Sequence, residues 1–205
     1  MSIADLPPTS GQFAMPPFPV RRFSVAEYQH LTEVGLLQED DSVELLEGWI
    51  VKKMTKNPLH DATVDLLLQM LGRLLTTGWF VRAQNVLLTS DSAPEPDLVI
   101  APGKPQDYRR QHPQAHEVAL VIEVADSSLD RDLKKRRLYA NGGVRVYWIV
   151  DLNAGCLDVF TDPDTLAGVF GRHQRLLPPA NATLLLADGA EITLSLAEVL
   201  PADDD

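Results

Sequence analysis

The sequence predicts an α/β fold, specifically an α+β sandwich in which helices flank a mixed central sheet. Three observations lead to this prediction. Residues 59–75 have the periodicity of a long amphipathic helix, several apolar runs have the length of buried strands, and a second helical segment, residues 129–140, lies between two of those runs. With 205 residues, 45% of them apolar, the chain can bury one full core, so we expect a single domain over residues 21–200.

The two ends of the chain are expected to lie outside that domain. Residues 1–20 contain five prolines and neither Lys nor Arg, which is typical of a flexible arm and not of a secretion signal. Residues 201–205 form an acidic tail. The sequence has no apolar run of about eighteen residues, and Cys156 is its only cysteine. We therefore expect a cytoplasmic protein with no membrane partner and no internal disulfide.

The first predicted elements are a short helix and a hairpin. Ser24 and Glu27 have the spacing of a capping box, in which two side chains bond orphan amides at a helix start. A helix should follow to about Val34. The segment 43–51 then carries Glu47-Gly48 at its centre, which indicates a tight turn between two small strands.

The middle of the chain supplies the long helix and the central strands. Residues 59–75 place apolar side chains at helical spacing, so this helix should lie across a sheet. Strands are expected over 81–89 and again from Asp97, followed by a surface loop with a short helix over 103–116. The nearly continuous apolar run 117–124 predicts a strand that is buried on both faces at the centre of the sheet.

The last third of the chain is expected to hold one more long helix and several strands. Asp126, Ser127 and Ser128 offer cap residues for a helix over 129–140. A second capping box, Ser195 to Glu198, predicts a brief final helix. The remaining strands are expected at 144–152, 156–160, 182–187 and 190–194, the last two as a hairpin around Asp188-Gly189.

Two carboxylates lie at the edges of predicted central strands. Asp97 follows Pro96, which keeps the backbone extended, so its side chain can project past the sheet. Glu123 stands inside an apolar run, where a buried charge is costly unless a cation compensates it. Taken singly, Asp97 can be a solvated residue after a turn, and Glu123 can be a strand-end partner of an arginine. Together, on neighbouring strands, they could share a divalent cation.

Lys135 and Tyr139 lie four residues apart and therefore project from one face of the helix that follows the Glu123 strand. If this face meets the strand ends, the Lys135 ammonium lies beside the metal. It could then hold an attacking water and a scissile phosphate while negative charge develops. The alternative is that Lys135, in a run of basic residues, belongs to a solvated helix face.

Glu44 and His60 are further candidates for the same site. Glu44 lies in the predicted hairpin and His60 at the start of the long helix, and either could add a metal ligand or an acid–base group. The alternatives are a solvent-facing Glu44 and a His60 that only caps or packs. The sequence contains no Ser/His/Asp nucleophile context, glycine-rich phosphate loop or zinc spacing that competes with these residues.

The net charge of −11 is unfavourable for a nucleic-acid partner, because Lys and Arg contacts to phosphate supply most of the affinity in such complexes. Two features reduce the objection. Part of the acid lies in the tail, and carboxylates of a metal site count as negative until the metal is bound. A cluster of basic residues also predicts a local positive face: Arg131, Lys134, Lys135, Arg136 and Arg137.

Taken in order, these motifs closely resemble the bacterial Uma-type family, which is described as restriction endonucleases of the PD-(D/E)xK superfamily. The resemblance spans residues 22–200. The motifs that carry it are Val43-Glu44-Leu45-Leu46-Glu47-Gly48, His60, Pro94-Glu95-Pro96-Asp97-Leu98, Ile122-Glu123-Val124-Ala125-Asp126-Ser127-Ser128-Leu129, Lys135-Arg136-Arg137-Leu138-Tyr139-Ala140 and Val146-Tyr147-Trp148-Ile149-Val150-Asp151-Leu152.

The resemblance implies a restriction-endonuclease-like core with Asp97 and Glu123 as ligands of Mg²⁺, for which Mn²⁺ could substitute. It also implies the Val124 carbonyl as a third ligand. The usual lysine of the superfamily would stand at Ala125, and Lys135 would replace it from the helix. The loop before the helix is one residue shorter than is common in the family, which leaves Lys134 as the alternative, although the spacing to Tyr139 favours Lys135.

The first functional hypothesis is a Mg²⁺-dependent endonuclease that hydrolyses phosphodiester bonds of DNA. In it, Lys135 orients the water, and Glu44 or His60 assists. We expect a homodimer, and paired cuts on duplex DNA would favour such a two-fold assembly. A second hypothesis is a non-catalytic module that keeps the nuclease fold to contact a protein or nucleic-acid partner. The net acidity and the absence of a separate DNA-reading motif favour this second hypothesis. A third is a metal-dependent hydrolase of a small phosphoester.

Overall fold

The computed structural model of the protein describes residues 19–200. The predicted arm, except for its last two residues, and the whole predicted acidic tail lie outside the described residues. The predictions for these two segments therefore remain predictions.

The first described helix begins as the sequence predicts. Helix α1 covers Val25–Glu33. The Ser24 hydroxyl accepts a hydrogen bond from the Glu27 amide, and the Glu27 carboxylate accepts one from the Ser24 amide. These reciprocal bonds satisfy two amides that have no partner within the helix, so the capping box is confirmed.

The predicted hairpin is formed by strands β1 (Val43–Leu46) and β2 (Trp49–Lys52), which pair antiparallel. Glu47 and Gly48 between them take positive φ angles of 47° and 79°, as a tight two-residue hairpin turn requires. A Cβ atom at position 48 would come within 2.6 Å of the Arg22 side chain. Glycine is therefore required here by both its conformation and its surroundings.

In the rest of the chain, one long helix precedes three strands, a second helix precedes five more, and a short helix ends the described residues. Short 3-10 turns occupy Glu39–Asp41 and Pro105–Tyr108, the second inside the predicted surface loop. The remaining elements are α2 (Pro58–Leu74), β3 (Trp79–Ala83), β4 (Leu98–Pro102), β5 (Leu120–Ala125), α3 (Leu129–Asn141), β6 (Val146–Asp151), β7 (Cys156–Asp164), β8 (Val169–Leu176), β9 (Asn181–Leu185), β10 (Glu191–Ser195) and α4 (Leu196–Val199).

Six strands form one mixed sheet in the order β3-β4-β5-β6-β7-β8. Neighbouring strands run antiparallel except β5 and β6, which are parallel and are joined by α3 as the crossover. Helix α2 packs on one face of the sheet and α3 on the other. The predicted α+β sandwich with a mixed central sheet flanked by helices is thereby confirmed, and β5 is a central, fully buried strand.

Apolar side chains fill both faces of the sheet. On the α2 side, Leu67 and Leu71 pack with the even-numbered residues of β5, and the β9–β10 hairpin and α4 extend this cluster. On the α3 side, Leu138 and Tyr139 pack with the odd-numbered residues of β5 and with Tyr147. The alternation follows from the two-residue period of a strand. It places Glu123 and Ala125 on the α3 side.

The strand predicted over 81–89 is wrong beyond residue 83. β3 ends at Ala83 because the next residue, Gln84, takes a left-handed φ of 53°. The amides of Leu87 and Leu88 then bond the carbonyls of Pro94 and Pro113, at 2.9 and 3.0 Å, instead of continuing the pairing with β4. The apolar composition of this segment therefore reflects packing under a loop and not a longer strand.

The sequence pattern does not predict β8, and it ends β7 at Phe160, whereas β7 continues to Asp164. β8 is an edge strand with mostly polar, exposed side chains, so it lacks the apolar alternation of a half-buried strand. Buried Asp158 of β7 ties the two strands together. It accepts two hydrogen bonds from Arg175, at 2.9 and 2.7 Å, and one from His173 at 2.7 Å.

The two later helix starts differ from their predicted caps. Helices α3 and α4 are present, but neither Ser128 nor Ser195 makes the side-chain cap bond. The Ser128 hydroxyl instead donates to the Asp132 carboxylate one turn into α3. An acceptor carboxylate on the same helix face competes with the backbone amides for a serine hydroxyl.

Leu67→Ala should destabilise the fold through α2. Leu67 is 0% exposed beneath the sheet, so its truncation should lower the free energy of unfolding by about 2–5 kcal/mol. Denaturant unfolding measures this change. Leu59→Ala is the matched control, because Leu59 is 47% exposed on the same helix and should cost less than about 1 kcal/mol. Equal losses in both variants would contradict the packing described.

Asp158→Asn should remove a pH-dependent part of the stability. Burial raises the pKa of Asp158, but the hydrogen bonds from Arg175 and His173 outweigh burial and hold this pKa below its ordinary value. A depressed carboxyl pKa stabilises the folded state above the unfolded pKa of about 3.9 and stops doing so as pH falls through the folded pKa.

At neutral pH we therefore expect the Asp158→Asn variant to be less stable than the wild type by about 1–3 kcal/mol. The difference should shrink as the pH is lowered below about 4. Urea unfolding at a series of pH values measures it. Asp162→Asn, an exposed carboxylate of β7, should change stability by less than about 0.5 kcal/mol. A constant difference across the pH series would disprove the role given to the Asp158 charge.

Candidate functional site

A polar cleft of about 480 Å³ collects the candidate residues. Its lining comes from the β1–β2 hairpin, the loop between β2 and α2, the start of α2, the adjoining ends of β4 and β5, and the first half of α3. Five of the six predicted side chains line it directly: Glu44, His60, Asp97, Glu123 and Lys135. The sixth, Tyr139, lies behind Glu123.

Asp97 lies directly before β4 and is 6% exposed. Its Oδ2 accepts hydrogen bonds from the Val124 amide at 2.9 Å and from His60 Nε2 at 3.1 Å. Its own amide donates to Glu123 Oε2 at 3.3 Å. The antiparallel register of β4 and β5, which pairs Leu98 with Ile122, brings Asp97 and Glu123 together at this edge.

Glu123 is 3% exposed and is held by two side chains of α3. Its Oε1 accepts hydrogen bonds from Lys135 Nζ at 2.9 Å and from the Tyr139 hydroxyl at 2.7 Å. The four-residue spacing of Lys135 and Tyr139 on one helix face produces this joint approach. The solvated-face alternative for Lys135 is wrong, since the side chain is 7% exposed.

The two adjacent lysines of α3 lie in different environments. Lys135 is buried against Glu123, whereas the Lys134 side chain is 76% exposed and pairs with Asp130 one turn earlier at 2.5 Å. Successive helix residues differ by about 100° in direction, so only one of the two can face the sheet. Lys135 is therefore the lysine that the structure places in the cleft.

Glu44 connects three parts of the cleft. It is 2% exposed, so the solvent-facing alternative is wrong. Its Oε2 accepts a hydrogen bond from the Glu95 amide at 3.1 Å, which fixes the loop that leads to Asp97. Its Oε1 pairs with Arg131 and lies 3.6 Å from Lys135 Nζ. Through these contacts Glu44 joins the hairpin to the start of α3.

His60 lies in the first turn of α2, where the Asn57 side chain caps the helix by accepting from the His60 amide at 2.9 Å. The imidazole itself bridges two carboxylates, with Nε2 at 3.1 Å from Asp97 and Nδ1 at 3.1 Å from Asp61. The hydrogen bond with Asp97 raises the pKa of His60, although burial opposes that shift. His60 is thus a hydrogen-bond partner of Asp97 and not only a packing residue.

Burial and neighbouring charges set the protonation of the cleft. Burial raises the pKa of Glu123, opposed by the Lys135 ammonium. For Asp97, the His60 hydrogen bond and charge outweigh the effect of burial and lower the pKa. Burial lowers the pKa of Lys135, but the surrounding carboxylates of Glu123, Glu44 and Asp132 outweigh it, so the net shift is upward. Lys135 therefore stays an ammonium at neutral pH.

Asp132 belongs to the cleft but was missed in the sequence. It is 3% exposed, and burial raises its pKa to about 6. It precedes Lys135 by three residues and Tyr139 by seven, which is the spacing of one helix face. That periodicity could have identified it, but a carboxylate in a charged run is usually solvated.

The predicted positive face of α3 is not continuous, because a helix spreads neighbouring residues around its axis. Lys135 points into the cleft, and Arg131 bonds Glu44 and the Lys52 carbonyl. Arg136 lies over the Phe160 ring at 5.1 Å on the other side. The five basic residues are thus divided between the cleft and separate surface contacts.

The donor set of the cleft suits a hard divalent cation. Asp97 Oδ1 accepts no hydrogen bond from a described residue and has Lys56 Nζ at 3.7 Å as its charged neighbour. Within residues 19–200, no three His, Cys, Asp or Glu side chains form a ready-made metal cage. Mg²⁺ does not need one, because it binds through one or two carboxylates and keeps several waters for the substrate to displace.

Lys135→Met should destabilise the protein, because it leaves the buried Glu123 carboxylate without its cation. Breaking a buried pair in this way costs about 3–5 kcal/mol. Lys134→Met is the matched control: it removes the same charge from an exposed pair and should cost less than about 1 kcal/mol. Urea unfolding of the two variants measures both values, and similar losses would show that Lys135 is not the buried partner.

The fold matches a solved structure, and the sequence matches a family model. A crystal structure described as a putative nuclease belonging to DUF820 from Anabaena variabilis ATCC 29413 aligns with a TM-score of 0.68 at 14% identity, covering 88% of this chain and 97% of that one. At this identity the likeness concerns the fold. Comparison with curated proteins finds no match. Among residues 19–200, no helix has the length and apolar character needed to cross a membrane.

The family comparison covers most of the chain. A family model described as "Uma2: Putative restriction endonuclease" matches residues 25–196, which includes every residue of the cleft discussed above. The order of the motifs in the sequence and their convergence on one cleft agree with this match. The chain belongs to the Uma2 family.

Proposed function

We propose that this protein is a nuclease that hydrolyses phosphodiester bonds of DNA, with Mg²⁺ as its cofactor and Mn²⁺ as a substitute. The observation that carries the proposal is the buried contact of Glu123 with the Lys135 ammonium beside Asp97, inside an open polar cleft. Two adjacent carboxylates can hold a divalent cation, and a fixed ammonium can stabilise the charge that develops on phosphate during phosphodiester hydrolysis.

Asp97 and Glu123 would hold the cation, with the Val124 carbonyl as a third ligand. When bound, the cation lowers the pKa of a coordinated water and neutralises charge that develops on the phosphate. The protein prepares Asp97 for this role, because Oδ2 is committed to His60 and the Val124 amide while Oδ1 remains open to the cleft.

Lys135 would hold the attacking water and a phosphate oxygen. An ammonium has three N–H donors, and Glu123 Oε1 takes one of them. The Glu44 carboxylate, with Oε1 at 3.6 Å from Lys135 Nζ, is a second negative charge beside this ammonium. The pKa of Tyr139 is raised well above its usual range because the side chain is buried, so Tyr139 stays protonated and donates to Glu123. Tyr139 therefore positions Glu123 and does not act as a base.

The family and the structural neighbour support a nucleic-acid substrate. The chain belongs to a family described as "Putative restriction endonuclease", and the matched crystal structure is described as "a putative nuclease". A homodimer would allow paired cuts in duplex DNA. The cleft itself, with its buried ammonium and open carboxylate oxygen, suits one phosphodiester group at a time.

The direct test is cleavage of plasmid and single-stranded DNA with Mg²⁺, with Mn²⁺ and with EDTA. We expect cutting only with a divalent cation. Asp97→Asn should reduce the cleavage rate by more than about 100-fold, because it removes a proposed metal ligand. Loss of a group that only supports such a ligand typically costs about 10–100-fold. Asp65→Asn, which removes one exposed carboxylate of α2, is the charge-matched control and should cut like the wild type.

Three results would contradict the proposal. Cleavage that persists in EDTA, or an Asp97→Asn variant as active as the wild type, would show that these carboxylates do not bind a required metal. Binding of a partner without cutting, unchanged in Glu123→Ala, would favour the non-catalytic module. Turnover of a chromogenic phosphodiester without competition by DNA would favour a hydrolase of small phosphoesters.

A further inference from the structure

One cation of the cleft differs from the others in how it is held. Lys56 lies in the loop between β2 and α2 and lines the cleft. Its Nζ is 3.7 Å from Asp97 Oδ1, which is beyond hydrogen-bond distance, and 36% of its side chain is exposed. This weak, solvated contact is with the one oxygen of Asp97 that accepts no hydrogen bond from a described residue.

The other basic side chains around the cleft have close partners. Lys53 pairs with Glu95 at 2.6 Å, and Lys135 is buried against Glu123 at 2.9 Å. Arg131 bonds both Glu44 and, at 2.7 Å, the Lys52 carbonyl. Among the cleft cations in residues 19–200, Lys56 is therefore the one that can leave its carboxylate with the smallest loss of interaction.

The backbone is held on both sides of Lys56, so movement of its ammonium must come from rotation of the side chain. Before it, the Lys53 amide donates to the Ser42 carbonyl at 2.7 Å. After it, Asn57 caps α2 and also donates to Asp126 across the cleft. A lysine has a flexible four-carbon stem, which lets its ammonium move over several ångströms from an unmoved backbone.

A divalent cation and the Lys56 ammonium compete for the same place. A metal ion on Asp97 Oδ1 would lie within a few ångströms of Lys56 Nζ, and like charges at that distance repel. The ammonium must then move, and a phosphate bound at the metal supplies the nearest new anion. Movement of the ammonium from Asp97 to phosphate would give Lys56 an anionic partner in both states.

We propose that Lys56 occupies the cation position at Asp97 in the metal-free protein and becomes a ligand of the substrate backbone phosphate once the metal binds. This inference rests on the proposed function, because it requires a metal at Asp97 and a phosphate substrate. It assigns to Lys56 a substrate-binding role that differs from the fixed role of Lys135.

The first test measures metal affinity without any substrate. Isothermal titration with Mn²⁺ should show that Lys56→Met binds the ion about fivefold more tightly than the wild type, because a partly exposed competing cation has been removed. Lys134→Met removes an equal charge from an exposed pair outside the cleft and should bind Mn²⁺ like the wild type. Circular dichroism of each variant checks that the fold is retained.

The second test measures binding of a short fluorescein-labelled DNA oligonucleotide at several salt concentrations. Ca²⁺ serves as the ion because it takes the same oxygen ligands in a looser geometry, and gel analysis checks that the oligonucleotide stays intact. With Ca²⁺, Lys56→Met should reduce the slope of log affinity against log salt by about 1, the loss of one phosphate contact. In EDTA the slope should not change, and Lys56→Arg should restore it with Ca²⁺.

The outcomes separate this inference from the proposed function. A wild-type protein that binds no Mn²⁺ would overturn both. A wild type that binds Mn²⁺ and cuts DNA, with unchanged Mn²⁺ affinity or unchanged salt slope in Lys56→Met, would overturn only the role of Lys56. A slope change that appears equally in EDTA would show a permanent phosphate contact and would also overturn it.

Discussion

The contact between Lys135 and Glu123 determines the arrangement of the rest of the cleft. Both groups are nearly inaccessible to water, so each would be costly to bury without the other. Their contact requires α3 to keep a fixed position over β5. The packing of Leu138 and Tyr139 on the α3 side of the sheet holds the helix there. Glu44 and Asp132 add charges that the same ammonium must compensate. The hairpin and the α3 start are thus tied to one buried cation.

The connection between β5 and β6 explains how a helix can supply this cation. The two strands are parallel, so the chain must cross over between them, and α3 makes that crossover. The helix therefore starts at the end of β5 where Glu123 lies and runs back over it. Ala125, on the same side of β5 as Glu123, is 0% exposed beneath α3. A small residue there lets the helix approach closely, and the long Lys135 side chain reaches the carboxylate from above.

Local periodicity made much of this arrangement predictable. The spacing of Lys135 and Tyr139, the apolar run around Glu123 and the hairpin turn at Glu47-Gly48 each depend on neighbours in the sequence. The contact of Arg131 with Glu44 joins residues 87 positions apart, and no local pattern encodes it. β8 escaped prediction for a related reason: as an edge strand it has mostly polar, exposed side chains, and its contacts to Asp158 join residues 15 and 17 positions apart. Asp132 was missed because the charged stretch around it has the composition of a solvated helix face.

Part of the acidity that seemed to oppose a nucleic-acid substrate lies where the proposed cation would bind. Among the described residues that line the cleft, seven are Asp or Glu and four are Lys or Arg. Without a divalent cation, this excess of carboxylates disfavours a phosphate in the cleft. In a nuclease with this cleft, metal and substrate must therefore strengthen each other's binding by the same factor, because coupling between two ligands is reciprocal. Under the proposed function, the acidity of the cleft favours metal dependence and does not count against DNA.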